Sequence, residues 1–179
     1  RDVWFVVGVP IFFASQLGWS FDQIGLFMAA WIVGYGIIQA FVPRLTKNTT
    51  DAQSGARAAA FWGFALAVLP ALMAGGLYVL KDHATLILVG GLLVFALIFA
   101  INSSLHSFLI VAYSDADKVS LSVGFYYMAN AIGRLLGTLL SGLVYQLAGL
   151  EACLVLSAIM VLIAATSVLF LKPKEVLTS

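Results

Sequence analysis

Ser122–Gln146, SVGFYYMANAIGRLLGTLLSGLVYQ, is apolar enough to lie in a bilayer, yet it places an arginine, Arg134, near its middle. On a helical wheel Tyr127, Asn130, Arg134, Thr138, Ser141 and Tyr145 share one face. Phe125, Ile132, Leu136, Leu139 and Leu143 occupy the opposite one. A charge at mid-bilayer costs at least about 2.5–3.5 kcal/mol on insertion scales, so the arginine must face a cavity or protein rather than lipid. Gly133, Gly137 and Ser141 add a small-xxx-small edge suited to close helix packing. The stretch reads as a membrane helix lining a polar path, with one fixed positive charge directed into it.

The rest of the chain sets that helix among others like it. Of 179 residues 63% are hydrophobic and only 9% charged, and the mean hydropathy is +1.07. A soluble domain of this size must cover itself with polar groups, so the composition describes an all-α polytopic protein of the lipid bilayer. The net charge of +1 says nothing about nucleic acid, and with no basic run or stacking platform to suggest it, no nucleic-acid partner is expected. The single cysteine, Cys153, lies in an apolar run and reads as a small packing residue. No C-x-x-C or histidine cluster offers a metal site, and no cofactor is expected. Without H-E-x-x-H, G-x-S-x-G or paired intramembrane acids, an enzyme is not expected either.

Judged against about 20 apolar residues per crossing, the chain divides into six expected spans, at about 3–17, 24–42, 58–80, 85–112, 119–147 and 152–171. Gly8 and Pro10 should kink or locally break the first. Gly18 to Asp22 form a turn, and Pro43 ends the second span. The polar stretch Arg44 to Arg57 (RLTKNTTDAQSGAR) reads as a loop. The third span carries Pro70, and the fourth is long enough to tilt or project. Ala148-Gly149-Leu150-Glu151 turns the chain into the sixth span. The start at Arg1, already close to an apolar run, suggests a piece beginning where the second half of a longer protein would begin.

Arg1, Arg44, Lys47, Arg57, Lys118, Lys172 and Lys174 fall on one side of this zigzag and only Lys81 on the other. Such a bias places both ends of the chain in the cytoplasm. Trp4, Trp19, Tyr78 and Tyr113 lie near span ends, where aromatics anchor at the interface.

Among polar residues inside spans, Arg134 is the leading candidate to bind substrate, the alternative being a structural pair with another helix. Asn130, one turn earlier, either shares the ligand or holds the guanidinium. Tyr127 is centred on the polar face, whereas Tyr126 reads as packing. Thr138 and Ser141 are expected to bond back to their own helix carbonyls. Asn102, Ser103, His106 and Ser107 cluster in the fourth span. Asn102 and His106 share a face, and His106 is a candidate proton or gating group beside the reading of a purely structural histidine. Gln16 and Gln39 are candidates for bonds between helices. All eight acids (Asp2, Asp22, Asp51, Asp82, Asp115, Asp117, Glu151 and Glu175) lie in loops or at span ends, leaving no membrane-buried carboxylate for proton coupling.

Six spans with both ends inside, a broken first helix and a basic loop after the second span resemble one half of a major facilitator superfamily permease, in which two six-helix halves surround a midplane site. RDVWFVVGVPIFF, GWSFDQIGLFMAAWIVGYGIIQAFVPRL and DKVSLSVGFYYMANAIGRLLGTLLSGLVYQLAG resemble the C-terminal half of the ArsJ-type permeases. Gly34, Gly36 and Pro43-Arg44-Leu45 loosely resemble the superfamily's glycine-rich segment and basic loop after its second helix, where glycines permit close helix contact.

That resemblance implies export of a small anionic substrate, 1-arseno-3-phosphoglycerate, across the inner cell membrane. It also implies an N-terminal six-helix half as structural partner. A glyceraldehyde-3-phosphate dehydrogenase that makes the compound from arsenate is the implied functional partner. Arg134 would then meet phosphate-like oxygens. The rivals are a permease of the same superfamily for another phosphorylated or hydrophobic compound, and a non-transporting assembly subunit in which Arg134 pairs with a partner's acid. Alone, these 179 residues are expected to dimerise or to be poorly stable in detergent.

Overall fold

The computed structural model describes residues 2–45 and 51–171, and every regular element among them is helical. Arg1, Lys47, Lys172, Lys174, Glu175 and the side chains of Asp2 and Arg44, all invoked above, lie outside what is described. The elements are α1 (Asp2–Phe5), α2 (Gly8–Ser15), α3 (Phe21–Leu45), α4 (Ala52–Val79), α5 (Ala84–Tyr113) and α6 (Val119–Val168), with short 3-10 turns at Lys81–His83 and Ala116–Lys118. Four helices are long and apolar enough to cross a membrane, over Phe21–Val42, Ala52–Val79, Lys81–Tyr113 and Val119–Val168, and Val3–Ser15 is a shorter apolar segment.

The last of these is not one rod. Fifty helical residues at about 1.5 Å each would span about 75 Å, against about 30 Å of hydrocarbon. Gly149 interrupts them with φ 77° and ψ −173°, a backbone region essentially restricted to glycine. The residues on either side form two limbs, 119–148 and 150–168. Gly137 and Asn130 of the first limb line the same cavity as Ser157 and Val161 of the second, and the Cys153 thiol donates to the Ser141 carbonyl at 3.7 Å. The limbs therefore run antiparallel, as a helical hairpin.

The first helix is broken as Pro10 and Gly8 require. Pro10 has no N–H for the carbonyl of Val6, and the chain leaves helical register at Val6–Val7. The freed Gly8 N–H donates instead to the Ser141 hydroxyl at 3.2 Å, across 133 residues of sequence. Ser141 is fully buried there. It thus serves a neighbouring helix and not its own carbonyls, correcting the back-bonding expectation. Apolar surroundings offer no water to an orphan N–H, so the hydroxyl stands in for the Trp4 carbonyl that a continuous helix would have offered Gly8.

Two helices start earlier than their apolar runs. Ser20 and Gln23 form a capping box: the Ser20 N–H donates to Gln23 Oε1 at 2.9 Å and the Gln23 N–H to Ser20 Oγ at 3.2 Å. Helix α3 consequently begins at Phe21 rather than Ile24. Asp51 caps α4, its carboxylate accepting the Ser54 N–H at 2.6 Å. The loop expected over 44–57 is thus helical from Ala52 onward.

Helix α5 touches α3, α4 and α6, while α4 packs along α6 and α1 and α2 lie against α6. The core forms where they meet, around Trp4, Phe13, Leu88, Phe95, Leu150 and Leu154. Trp4 is fully buried, with Phe95 edge-on at 5.1 Å. It is a core side chain and not an interfacial anchor: α1 lies against α6, and Trp4 reaches across to Phe95 of α5. Tyr78 remains exposed at the end of α4. Gly34 and Gly36 would meet nothing if given a Cβ, so the close helix contact expected of them is not made by the described residues.

Candidate functional site

Asn130 and Arg134, one turn apart on the first limb of α6, line a cavity of about 250 Å³. Gly133 and Gly137 of the same limb leave the space that larger side chains would fill. Ser157, Met160 and Val161 of the second limb form the facing wall, and Phe99 of α5 and Val3 of α1 complete it. The Gly149 hairpin is what sets Ser157 opposite Arg134.

Ser157 is almost completely buried, and its hydroxyl has no hydrogen-bond partner. Thr166 and Ser167 on the same limb bond back to the carbonyls of Leu162 and Ile163, both at 2.8 Å. Ser157 does not, and its hydroxyl keeps an unused donor and acceptor in a residue of the cavity lining. Nothing in the sequence pattern marked it, since a lone serine in an apolar helix ordinarily bonds to its own backbone. Thr138 does so, donating to the Arg134 carbonyl at 2.9 Å.

Chemically, the cavity joins a guanidinium fork, an amide and a hydroxyl to a wall that is otherwise apolar among the described residues. Asn130 and Arg134 are both exposed, whereas Ser157 is buried. A ligand offering several anionic oxygens matches this donor set.

The remaining candidates fall elsewhere. Tyr127 is 65% exposed and lies outside the cavity lining. Tyr126 is half-buried, its ring edge-on to that of Tyr127 at 5.7 Å. His106 and Asn102 are half-buried on α5 and do not line the cavity. The Asn102 Oδ1 is buried without a hydrogen-bond partner and lies 4.0 Å from where a Cβ on Gly63 would stand. Their neighbour Ser103 ties α5 to α3, its hydroxyl accepting from Tyr35 Oη at 3.4 Å and Gln39 Nε2 at 3.3 Å. Gln39 thus bonds between helices, whereas Gln16 lies at the far end of the bundle beside Lys81. Of the three small residues Gly133, Gly137 and Ser141, the last two are buried and Gly133 opens onto free space. No group of three or more metal-ligating side chains exists among the described residues.

Long apolar helices and a broken first segment describe a polytopic membrane protein. The sequence profile of the Major Facilitator Superfamily matches residues 3–178, and the chain belongs to that superfamily of membrane transporters. Comparison with curated proteins and with solved structures gave no match.

Proposed function

We propose that the chain exports an organic anion by alternating access, with Arg134 as the anion's anchor. Its resemblance to ArsJ-type permeases makes 1-arseno-3-phosphoglycerate the best candidate cargo. The observation that carries the proposal is the cavity of about 250 Å³ lined by Asn130, Arg134 and Ser157, the last with a hydroxyl that has no hydrogen-bond partner. In this reading the guanidinium takes two oxygens of the phosphate or arsenate group side by side. Asn130 and Ser157 donate to the remaining oxygens, and the apolar walls exclude competing water. The chain crosses the membrane six times, the two limbs of α6 each counting once, with both ends cytoplasmic.

The test is uptake into everted membrane vesicles carrying the full gene product, with the arsenylated compound generated in place from arsenate by glyceraldehyde-3-phosphate dehydrogenase. Hydrogen bonds to charged groups contribute about 1.5–3 kcal/mol. Arg134→Gln should therefore lower uptake at subsaturating substrate by about 10- to 100-fold. Equal uptake by wild type and variant removes Arg134 as the anchor. No uptake by a correctly inserted wild type removes the arsenical and leaves a transporter of other cargo.

A further inference from the structure

A second cavity, of about 290 Å³, opens at the end of the bundle opposite Arg57 and Lys118. Four helix ends meet there. Gln16 follows α2, Lys81 follows α4, Ala84 opens α5, and Glu151 stands in the first turn of the second limb of α6. Phe12, Leu17, Leu77 and Ala84 supply an apolar wall, of which Leu77 and Ala84 are buried. Lys81 and Glu151 both line the cavity, yet no ion pair joins them among the described residues. Glu151 is held back toward the hairpin turn, its carboxylate 3.2 Å from where a Cβ on Gly149 would stand.

A cation and an anion that share a cavity without neutralising each other suit a ligand carrying both complementary charges. Being at the ends of membrane helices, the cavity lies at the depth of lipid headgroups. We propose that it binds the headgroup of phosphatidylethanolamine: Lys81 and the Gln16 amide take the phosphate, Glu151 accepts hydrogen bonds from the primary ammonium, and the apolar wall takes the start of an acyl chain. A choline headgroup has no N–H for Glu151 and favours an aromatic enclosure, for which Phe12 is the lone ring among the described lining residues. A glycerol headgroup has no cation, so Glu151 disfavours an anionic lipid. The proposal does not depend on which solute is transported.

The test is native mass spectrometry of the detergent-purified full gene product in an equimolar mixture of phosphatidylethanolamine, phosphatidylcholine and phosphatidylglycerol of matched chains. Wild type should retain the ethanolamine lipid about threefold over either competitor, the size of effect a partly exposed ion pair gives. Glu151→Gln leaves Lys81 alone and should turn the preference toward phosphatidylglycerol. Lys81→Gln should abolish preference altogether. A directional switch of this kind does not arise from misfolding, which would lower retention of all three. Glycerophosphoethanolamine, which lacks acyl chains, separates a free zwitterion from a lipid. Failure of a large excess to displace the bound lipid supports the lipid, whereas displacement at equimolar concentration overturns it. Equal retention of the three lipids by wild type, or an unchanged preference in Glu151→Gln, also overturns the proposal.

Discussion

Helix α4 and the first limb of α6 are both rich in small residues at helical spacing, and they use them in opposite ways. Along α4, Ala56, Ala59, Ala60, Gly63, Ala67 and Ala74 are buried. A Cβ on Gly63 would stand only 2.9 Å from that of Ala165. On the α6 limb, Gly124, Gly133 and Gly142 would meet nothing within 4 Å, and Leu135, Leu136, Leu139 and Leu143 are exposed. Lipid is as apolar as leucine, so helices gain little from hiding hydrophobic side chains from it and associate where backbones approach closely. In α4 small residues create that approach; beside Arg134 they create empty space. Small residues in an apolar helix thus have two meanings, and only the neighbouring helix tells them apart.

The largest expected effect breaks or sustains this contrast directly. Gly63→Leu forces a side chain into a closed contact, and overpacking of that kind costs about 1–3 kcal/mol or more. It should lower the detergent melting temperature and the folded yield. Gly133→Leu should leave melting within about 0.5 kcal/mol of wild type, yet cut anion uptake because it fills the space beside the guanidinium. A reversed pair of outcomes would show that the limb's small residues pack and that those of α4 do not.

Ser141→Ala sharpens the comparison at a place where the α6 limb does pack. It leaves the buried Gly8 N–H without a partner, at about 1–3 kcal/mol, and should lower the melting temperature more than Thr138→Ala, whose hydroxyl bonds only to its own helix. The smallest effect belongs to the cap of α4. The Ser54 N–H holds the Asp51 carboxyl below its ordinary value of 3.8. Its contribution is complete above that value and lost as pH falls through the lower folded-state value. Asp51→Ala should therefore destabilise slightly near neutral pH, with the difference from wild type vanishing in strong acid, as melting curves at pH 7 and pH 2 would show.

The membrane class, the broken first segment and the turn at Gly149 were legible in the sequence, because apolar runs and their breakers act locally. Helix starts were not. Hydropathy marks where a chain meets lipid, whereas Ser20–Gln23 and Asp51–Ser54 extend the hydrogen-bond ladder into polar sequence. The wheel around Arg134 named Asn130 as its neighbour on the cavity, but placed weight on Tyr127 where the fold leaves it outside the lining. Ser157 was invisible for a different reason: its place opposite Arg134 depends on the hairpin, a relation between two limbs that one helix's periodicity does not carry. Trp4 near an apparent span end looked like an anchor because the depth of a short, broken helix is set by its neighbours.

The bond from Gly8 to Ser141 also bears on how the protein is made. Its two partners are 133 residues apart, and ribosomes add about 5–20 residues per second. The first apolar segment thus emerges on the order of ten seconds before the hydroxyl that completes its interrupted backbone exists. Through that interval the segment carries an unmet N–H that hydrocarbon would penalise, so its settled place in the bilayer must follow, not precede, the arrival of α6.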